Sequence, residues 1–302
     1  MSEATRGKPS VAFIGAGKMG VPMIEHLLRA GYGVVAVDPL ASNLAIASAT
    51  GARVVGDIAE ALRDADVALS SLPNDGALAA VAREVAASGR RGLIYADTST
   101  VSPGVSAVAA ALLEAAGIAY VRTSVSGNPV VARTAGLTVM ASGPRAAYDF
   151  VKPLLDTFGK THFYLGQAEE ARTMKLVINL MVAGTAGLMA EALVLGEKGG
   201  LEWSQMLDVV NGSAVASPMV GYKVPPLKAR DYGSTFSGHQ MIKDLDLILG
   251  EGARSGVPLG LTAQIRQLYG AVVAQGDGDL DYISTVRLLE RLSGIAPNEG
   301  QP

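Results

Sequence analysis

A mostly parallel, doubly wound α/β sheet leading into an all-α region is the architecture this sequence predicts, and three observations carry the prediction. Short apolar runs alternate with helical patterns up to about residue 165, the pattern of strands covered by helices on both faces. Gly15, Gly17 and Gly20 stand in G-x-G-x-x-G spacing between the first apolar run and the first helical pattern. Beyond Gly166 the strand-like runs stop and helical periodicity continues to the C-terminus. The predicted organisation is a unit over 1–166 and a helical unit over 167–302, joined through a long helix.

The first run, Val11–Ile14, reads as a buried strand. After it, Gly15 allows a tight turn, Gly17 lets the backbone approach a pyrophosphate, and Gly20 lets the helix pack close to the strand. The segment Gly15, Ala16, Gly17, Lys18, Met19, Gly20 therefore places an anion on a helix N-terminus, where N–H groups and the dipole favour it. A second run, Val34–Val37, ends on Asp38, the position of the ribose-binding acid in a Rossmann dinucleotide unit. A carboxylate there accepts from a free ribose diol and repels a 2′-phosphate. Residues 39–52 contain no Lys or Arg to neutralise one, so NAD is expected over NADP.

Further strands are predicted over 67–72, 93–96, 120–125, 137–141 and 162–165, with helices such as 76–87 and 103–116 between some of them. The strand ends carry Asp38, Pro73-Asn74-Asp75, Asp97-Thr98-Ser99-Thr100 and Ser124-Val125-Ser126-Gly127. Ligands of doubly wound sheets bind at those ends, although each cluster alone also reads as an ordinary turn. Residues 168–198 form one long apolar segment, nearly uncharged over 177–195 and close to transmembrane length. Asn179, Thr185, Glu191 and several glycines interrupt it, so a helix buried on all sides, between domains or subunits, is expected. Helices over 203–211, 240–255, 262–274 and 282–292 follow, then a polar tail ending Asn298-Glu299-Gly300-Gln301-Pro302.

With 302 residues, 49% hydrophobic and 18% charged, the chain is long enough for two domains and is not of the disordered type. A net charge of −3 makes no electrostatic case for nucleic acid or an anionic membrane, and neither partner is expected. There is no cysteine, and His26, His162 and His239 lack ligand spacing, so neither thiol chemistry nor a metal is expected. The N-terminal MSEATRGKPS has no apolar signal core, and a cytoplasmic location is expected.

Hydride transfer to or from a carbinol carbon needs a group that gives or takes the hydroxyl proton. Lys175 and Asn179 lie at i and i+4 on the long helix and point to one face. Position alone leaves two readings of Lys175: a functional lysine, or a first-turn side chain reaching to solvent.

The ordered motifs settle the matter as a resemblance. GAGKMG at Gly15–Gly20, the Leu72-Pro73 pair, DTSTVSP from Asp97, SVSGN from Ser124 and LTVMASG from Leu137 come first. KLVIN from Lys175 and KDLDL from Lys243 follow. Over about residues 10 to 292 the chain resembles the β-hydroxyacid dehydrogenase family, which includes 3-hydroxyisobutyrate dehydrogenase and tartronate semialdehyde reductase. The resemblance implies that Lys175 is the general acid and base, that Ser126 and Gly127, with Asn128 beside them, hold the substrate carboxylate, and that Asn179 orients the substrate. It implies that Leu72, Pro73 and Thr100 line the nicotinamide side, and that Lys243 reaches cofactor or substrate from the C-terminal domain. The implied activity is hydride transfer between NAD and a short β-hydroxy acid or its semialdehyde, in a homodimer or homotetramer.

Departures cluster around the substrate. The family's D-A-P-V-S-G-G is here Arg122-Thr123-Ser124-Val125-Ser126-Gly127-Asn128, its later G-T-L-T is Ala135-Gly136-Leu137-Thr138, its second Asn or Gln after Asn179 is Leu180, and its Asn after the Leu-Pro pair is Ala77. Asn128 adds a side chain where a substrate headgroup would lie. Arg122 reads as a surface arginine without a role. Two alternatives use the same scaffold, an imine reductase and a non-catalytic dinucleotide-binding module, and the retained Lys175 counts against both.

Overall fold

The structure is a computed structural model that describes residues 7–296. The N-terminal part runs β1 (Val11–Ile14), α1 (Gly20–Arg29), β2 (Val34–Val37), α2 (Ala41–Ala49), β3 (Arg53–Val54), α3 (Ile58–Leu62), β4 (Val67–Ser70) and α4 (Asp75–Ala87). It continues through β5 (Ile94–Asp97), α5 (Pro103–Ala115), β6 (Ala119–Ser126), α6 (Pro129–Arg133), β7 (Leu137–Ser142), α7 (Arg145–Leu155) and β8 (Gly159–Gly166). The helical part comprises α8 (Glu170–Lys198), α9 (Trp203–Gly212), α10 (Pro218–Lys228), α11 (Gly238–Ser255), α12 (Gly260–Ala274) and, after a 3-10 turn, α13 (Thr285–Leu292). Two compact units divide at Leu176 and Val177, inside α8.

In the N-terminal unit the strands form one sheet in the order β3-β2-β1-β4-β5-β6-β7-β8, parallel throughout except for the antiparallel β6–β7 pair. The class is the predicted one. Successive side chains of β1 explain why both faces are covered. Val11 and Phe13 enter one core with Ile24, Leu27 and Val151, while Ala12 and Ile14 enter the other with Leu78, Val85 and Leu113. Strand-to-helix turns stop cleanly because short polar side chains cap the helices. Asn74 accepts from the Ala77 N–H, Ser102 from Val105, and Asn128 from Val131.

β1 and β2 occupy the predicted residues. α2, α3, α6 and α7 add helices that the sequence reading does not place, and three further departures have clear causes. β3 is only two residues long and sits at the sheet edge, too short to show an alternation. β8 starts at Gly159, ahead of its apolar stretch, because pairing with β7 extends to Gly159 opposite Leu137. α10 contains Pro225 and Pro226 in its interior, which erase the usual sequence signal. Its start is favourable, with Ser217 as cap and Pro218 in the first turn.

The C-terminal unit packs its core from α8, α9, α10, α11 and α12, with Ala186, Leu193, Leu207, Leu227, Leu245 and Tyr269 buried. α11 carries the full capping box, Ser237 with Gln240, and ends on Gly256 in the left-handed region (φ 72°). Lys223 and Asp281 form a buried pair, 2.7 Å apart, that Thr235 also bonds. α8 is long and apolar enough to cross a membrane by length and composition. The expectation that it is buried on all sides fails in the single chain: Met181, Leu188 and Leu195 are exposed at 65%, 69% and 76%. Their seven-residue spacing puts them on one stripe. The predicted polar tail from Asn298 lies outside the described residues.

Candidate active site

The glycine loop meets the geometric demands of a dinucleotide turn. Gly15 has φ 95°, and a Cβ there would lie 2.4 Å from the Ser71 carbonyl oxygen. A Cβ on Gly20 would lie 2.0 Å from the Gly15 carbonyl oxygen, so this glycine is required for the helix to approach the strand. At Gly17 a Cβ would meet nothing within 4 Å. The first and third glycines are therefore imposed by the fold, whereas the second opens onto free space where a phosphate can reach the backbone. Among the described residues no side chain caps the start of α1, which leaves backbone N–H groups there for an anion.

Asp38 is buried and held rigidly at the tip of β2. Its Oδ2 accepts from the Ala16 N–H at 2.8 Å, which ties it to the glycine loop itself. Its Oδ1 accepts from the Leu40 N–H at 2.8 Å and from Asn43 Nδ2 at 3.1 Å. With about four lone-pair sites on a carboxylate, roughly one remains for a ribose hydroxyl. These residues fit a nicotinamide dinucleotide.

The ends of β4, β5 and β6 are organised by a side chain that the sequence did not single out. Arg172, two residues into α8, is fully buried. Its Nη1 donates to the Ser99 carbonyl at 2.7 Å and to Ser124 Oγ at 3.2 Å. Its Nη2 donates to Tyr120 Oη at 2.8 Å and to Asp97 Oδ2, and its Nε to Ser106 Oγ at 3.3 Å. Burial opposes the guanidinium charge, but Tyr120 and Asp97 outweigh it and leave the group more basic than usual. Asp97 in turn collects Ser70 Oγ at 2.5 Å and Ser99 Oγ at 2.6 Å. Because Ser70 donates to Asp97, the Tyr95 hydroxyl at 2.8 Å donates to Ser70. Burial, and then the charge of Asp97, hold Tyr95 well above the ordinary phenol range, so it keeps that proton.

Ser99 Oγ accepts from the Leu72 N–H at 2.7 Å, so Leu72 is bonded directly into this network. Pro73 is exposed and Thr100 is half-buried. Ser126 ends β6, and Gly127 has φ 131°, where a Cβ would lie 2.7 Å from Leu137 Cδ2. Lys175 is half-buried on α8, three residues beyond Arg172. In the C-terminal unit, Asn179 Nδ2 donates to Asp244 Oδ2, and Lys243 Nζ lies 2.8 Å from Asp244 Oδ1. The structure thus brings Asn179 and Lys243 together through a carboxylate that is only 1% exposed, not through a solvated charge pair.

One sequence reading is corrected and another gains a structural role. Arg122 is not a surface residue: it is 5% exposed, pairs with Glu169 and stacks 4.6 Å from the centroid of Tyr120. A lone arginine in a strand carries no sign of a partner 47 residues away. Asn128 does not simply project a side chain toward ligand: its Oδ1 caps α6, accepting from the Val131 N–H at 3.0 Å. The signal for Arg172 was present but faint. It is an arginine one turn before Lys175 on an apolar helix, and such a residue is buried only when paired.

The comparisons with known proteins follow this geometry. Residues 10–166 match the family model described as the NAD binding domain of 6-phosphogluconate dehydrogenase. Residues 170–289 match the one described as NAD-binding of NADP-dependent 3-hydroxyisobutyrate dehydrogenase. The chain is 31% identical over 295 residues to 2-(hydroxymethyl)glutarate dehydrogenase of Eubacterium barkeri, covering 96% of this chain and 98% of that one. The solved structure of Mycobacterium tuberculosis 3-hydroxyisobutyrate dehydrogenase with L-serine superposes with a TM-score of 0.84 at 29% identity, over 94% of this chain and 99% of that one. An imine reductase from Pseudomonas sp. is more distant, with a TM-score of 0.64 at 19% identity over 94% and 100% of the chains, and shares the fold alone.

Proposed function

Because the chain belongs to the β-hydroxyacid dehydrogenase family, we propose that it oxidises a short β-hydroxy acid with NAD, or reduces the matching semialdehyde, with Lys175 as the proton-transfer group. A nicotinamide dinucleotide supplies the hydride acceptor. In the oxidation direction Lys175 Nζ takes the hydroxyl proton as the carbonyl forms, while the dinucleotide, when bound, would take up the hydride. In reduction the same ammonium returns the proton to the carbonyl oxygen. The observation that carries this reading is the placement of Lys175 on the turn of α8 that Arg172 anchors to the carboxyl ends of β5 and β6. That is the edge of the sheet at which the Gly15–Gly20 loop lies.

Ser126 and Gly127 are the proposed carboxylate-binding residues, with Asn128 shaping the loop as the cap of α6. Asn179 is proposed to orient the substrate. Leu72, Pro73 and Thr100 are proposed to line the nicotinamide side, and Lys243 to serve cofactor or substrate. Asp38 supports NAD: it is already fixed by three donors, and a 2′-phosphate beside a buried carboxylate has no cation within residues 39–52 to offset it. The named relatives act on, or are solved with, molecules of the form HOCH2–CH(R)–COO−, namely 2-(hydroxymethyl)glutarate, 3-hydroxyisobutyrate and L-serine. Primary β-hydroxy acids of that form are the proposed substrates. The exposed stripe of α8 supports a homo-oligomer, since Glu191 stands exposed in the same stretch as Leu188 and Leu195. A protein partner tolerates that carboxylate and lipid does not.

The test is initial-rate NADH formation over a panel of such acids, with NAD and with NADP, for wild type and Lys175→Ala. Turnover of one acid with NAD, and a loss of about 10³-fold in kcat for Lys175→Ala, is the expected result. In parallel, Asp38→Asn is expected to narrow the NAD preference by about tenfold. Equal rates with NADP in the wild type would overturn the cofactor assignment.

A further inference from the structure

We infer that Arg172 is the positioning residue of this reaction: it clamps the turn of α8 that carries Lys175 to the strand ends that carry Leu72 and Thr100. The inference rests on the dehydrogenase reading above and deepens it. A guanidinium has five N–H donors in fixed directions. Here its three nitrogens reach five acceptors: Asp97, the Ser99 carbonyl, Ser106, Tyr120 and Ser124. Those acceptors come from β5, the segment after it, α5 and β6, so one side chain registers the start of α8 against three neighbouring elements.

The chain of bonds continues to the cofactor wall. Asp97 holds Ser99, and Ser99 holds the Leu72 N–H. Leu72 is therefore linked to Lys175 through Ser99, Asp97 and Arg172. Arg172 and Lys175 are three residues apart on a continuous helix, hence neighbours on its surface. A rotation or slide of that first turn would move the lysine with it.

Stability alone gives little reason for such a device. A buried ion pair adds little over apolar side chains of the same volume. Fixing position is what a planar, fully satisfied fork does well. The second ion pair at the same helix start differs in this respect. Arg122 and Glu169 also pair, but among the described residues Arg122 Nε and Glu169 Oε2 find no hydrogen-bond partner, so that pair is not a fully satisfied fork.

The experiment compares the full-length wild type with Arg172→Lys, the charge-balanced double variant Arg172→Gln/Asp97→Asn, Lys175→Ala, and Lys223→Met. The last variant breaks a buried ion pair of the C-terminal unit and serves as the stability control. Each is assayed for NADH binding by fluorescence, for kcat and KM with 3-hydroxyisobutyrate and with 2-(hydroxymethyl)glutarate, and for thermal unfolding. The double variant is expected to bind NADH within about twofold of wild type. Its kcat is expected to fall about 100-fold, the scale of an ångström-sized misplacement of a reacting group. Arg172→Lys, which keeps the charge but not the fork, is expected to recover part of that loss. Lys223→Met is expected to lose thermal stability and keep its kcat.

If the Arg172 variants keep their kcat while Lys175→Ala is inactive, Arg172 is merely structural and the inference is overturned. If Lys175→Ala also keeps its kcat, or wild type turns over neither these acids nor any other of the panel, the functional reading fails first and this inference falls with it. Should the double variant not fold, Arg172→Lys decides the matter on the same readouts.

Discussion

The carboxyl ends of β1 and β2 and those of β4, β5 and β6 lie along one edge of the same sheet, and they are built from different materials. The first half is made of backbone: three glycines, an uncapped helix start and one carboxylate, all between residues 15 and 43. The second half is made of side chains that converge from far apart in the chain, with Arg172 bonding Asp97 across 75 residues. A backbone site is specified by which residues lack a Cβ, and its requirements are local. A side-chain hub is specified by who faces whom, and its requirements appear only when the sheet has formed.

The largest expected effect sharpens the backbone half by separating two glycines. Gly15→Ala places a methyl group against the Ser71 carbonyl at a positive φ, and is expected to destabilise the protein by about 3 kcal/mol. Gly17→Ala meets open space, so its unfolding free energy is expected to stay within about 0.5 kcal/mol of wild type. NADH affinity is nonetheless expected to drop by about tenfold or more, because the methyl occupies the approach to the pyrophosphate. Chemical denaturation and fluorescence titration read the two effects independently. A Gly17→Ala protein that binds NADH normally would break the assignment of that turn.

This difference explains what could be read from the chain alone. β1, β2 and the glycine turn follow from short-range spacing, and the alternation of apolar runs was enough for the doubly wound class. β3 could not be seen, because two residues carry no periodicity, and α10 was hidden by Pro225 and Pro226. The roles of Arg172 and Arg122 were illegible for a different reason. Their partners, Asp97 and Glu169, are set by the sheet order and by the docking of α8, which no local pattern encodes. Lys175 stands out because Asn179 lies at i+4 on the same helix face; Arg172 shares that apolar segment but has no such partner at i+4.

A smaller effect tests whether every buried pair on the side-chain half does the same job. Arg122→Met removes the partner of Glu169, a carboxylate with 17% of its side chain still exposed. The expected loss is about 2 kcal/mol, below the usual cost of breaking a fully buried pair, because water can reach the stranded charge. With the hydroxy-acid assay, kcat is expected to change by less than about twofold. A large fall in kcat at normal stability would mean that Arg122 shares the positioning role, and that the contrast drawn between the two arginines is false.

The smallest effect asks whether backbone strain is stored on the side-chain half as well. α6 ends in a Schellman turn: the Ala135 N–H bonds the Ala132 carbonyl and the Gly136 N–H the Val131 carbonyl, each at 3.0 Å. That turn puts Ala135 at φ 54°, where the family pattern has glycine and where a Cβ is unfavourable by about 1 kcal/mol. Ala135→Gly relieves the strain but gives the unfolded chain more freedom, so the two terms partly offset. A net gain of about 0.5 kcal/mol is expected on chemical denaturation, with no change in the slope of the transition. Ala135 is itself half-buried at the end of the loop that begins with Ser126. A net loss instead of a gain would therefore mean that its methyl group packs against that loop strongly enough to outweigh a left-handed backbone. The departure from glycine would then be a contact that shapes the proposed carboxylate-binding segment rather than a tolerated strain.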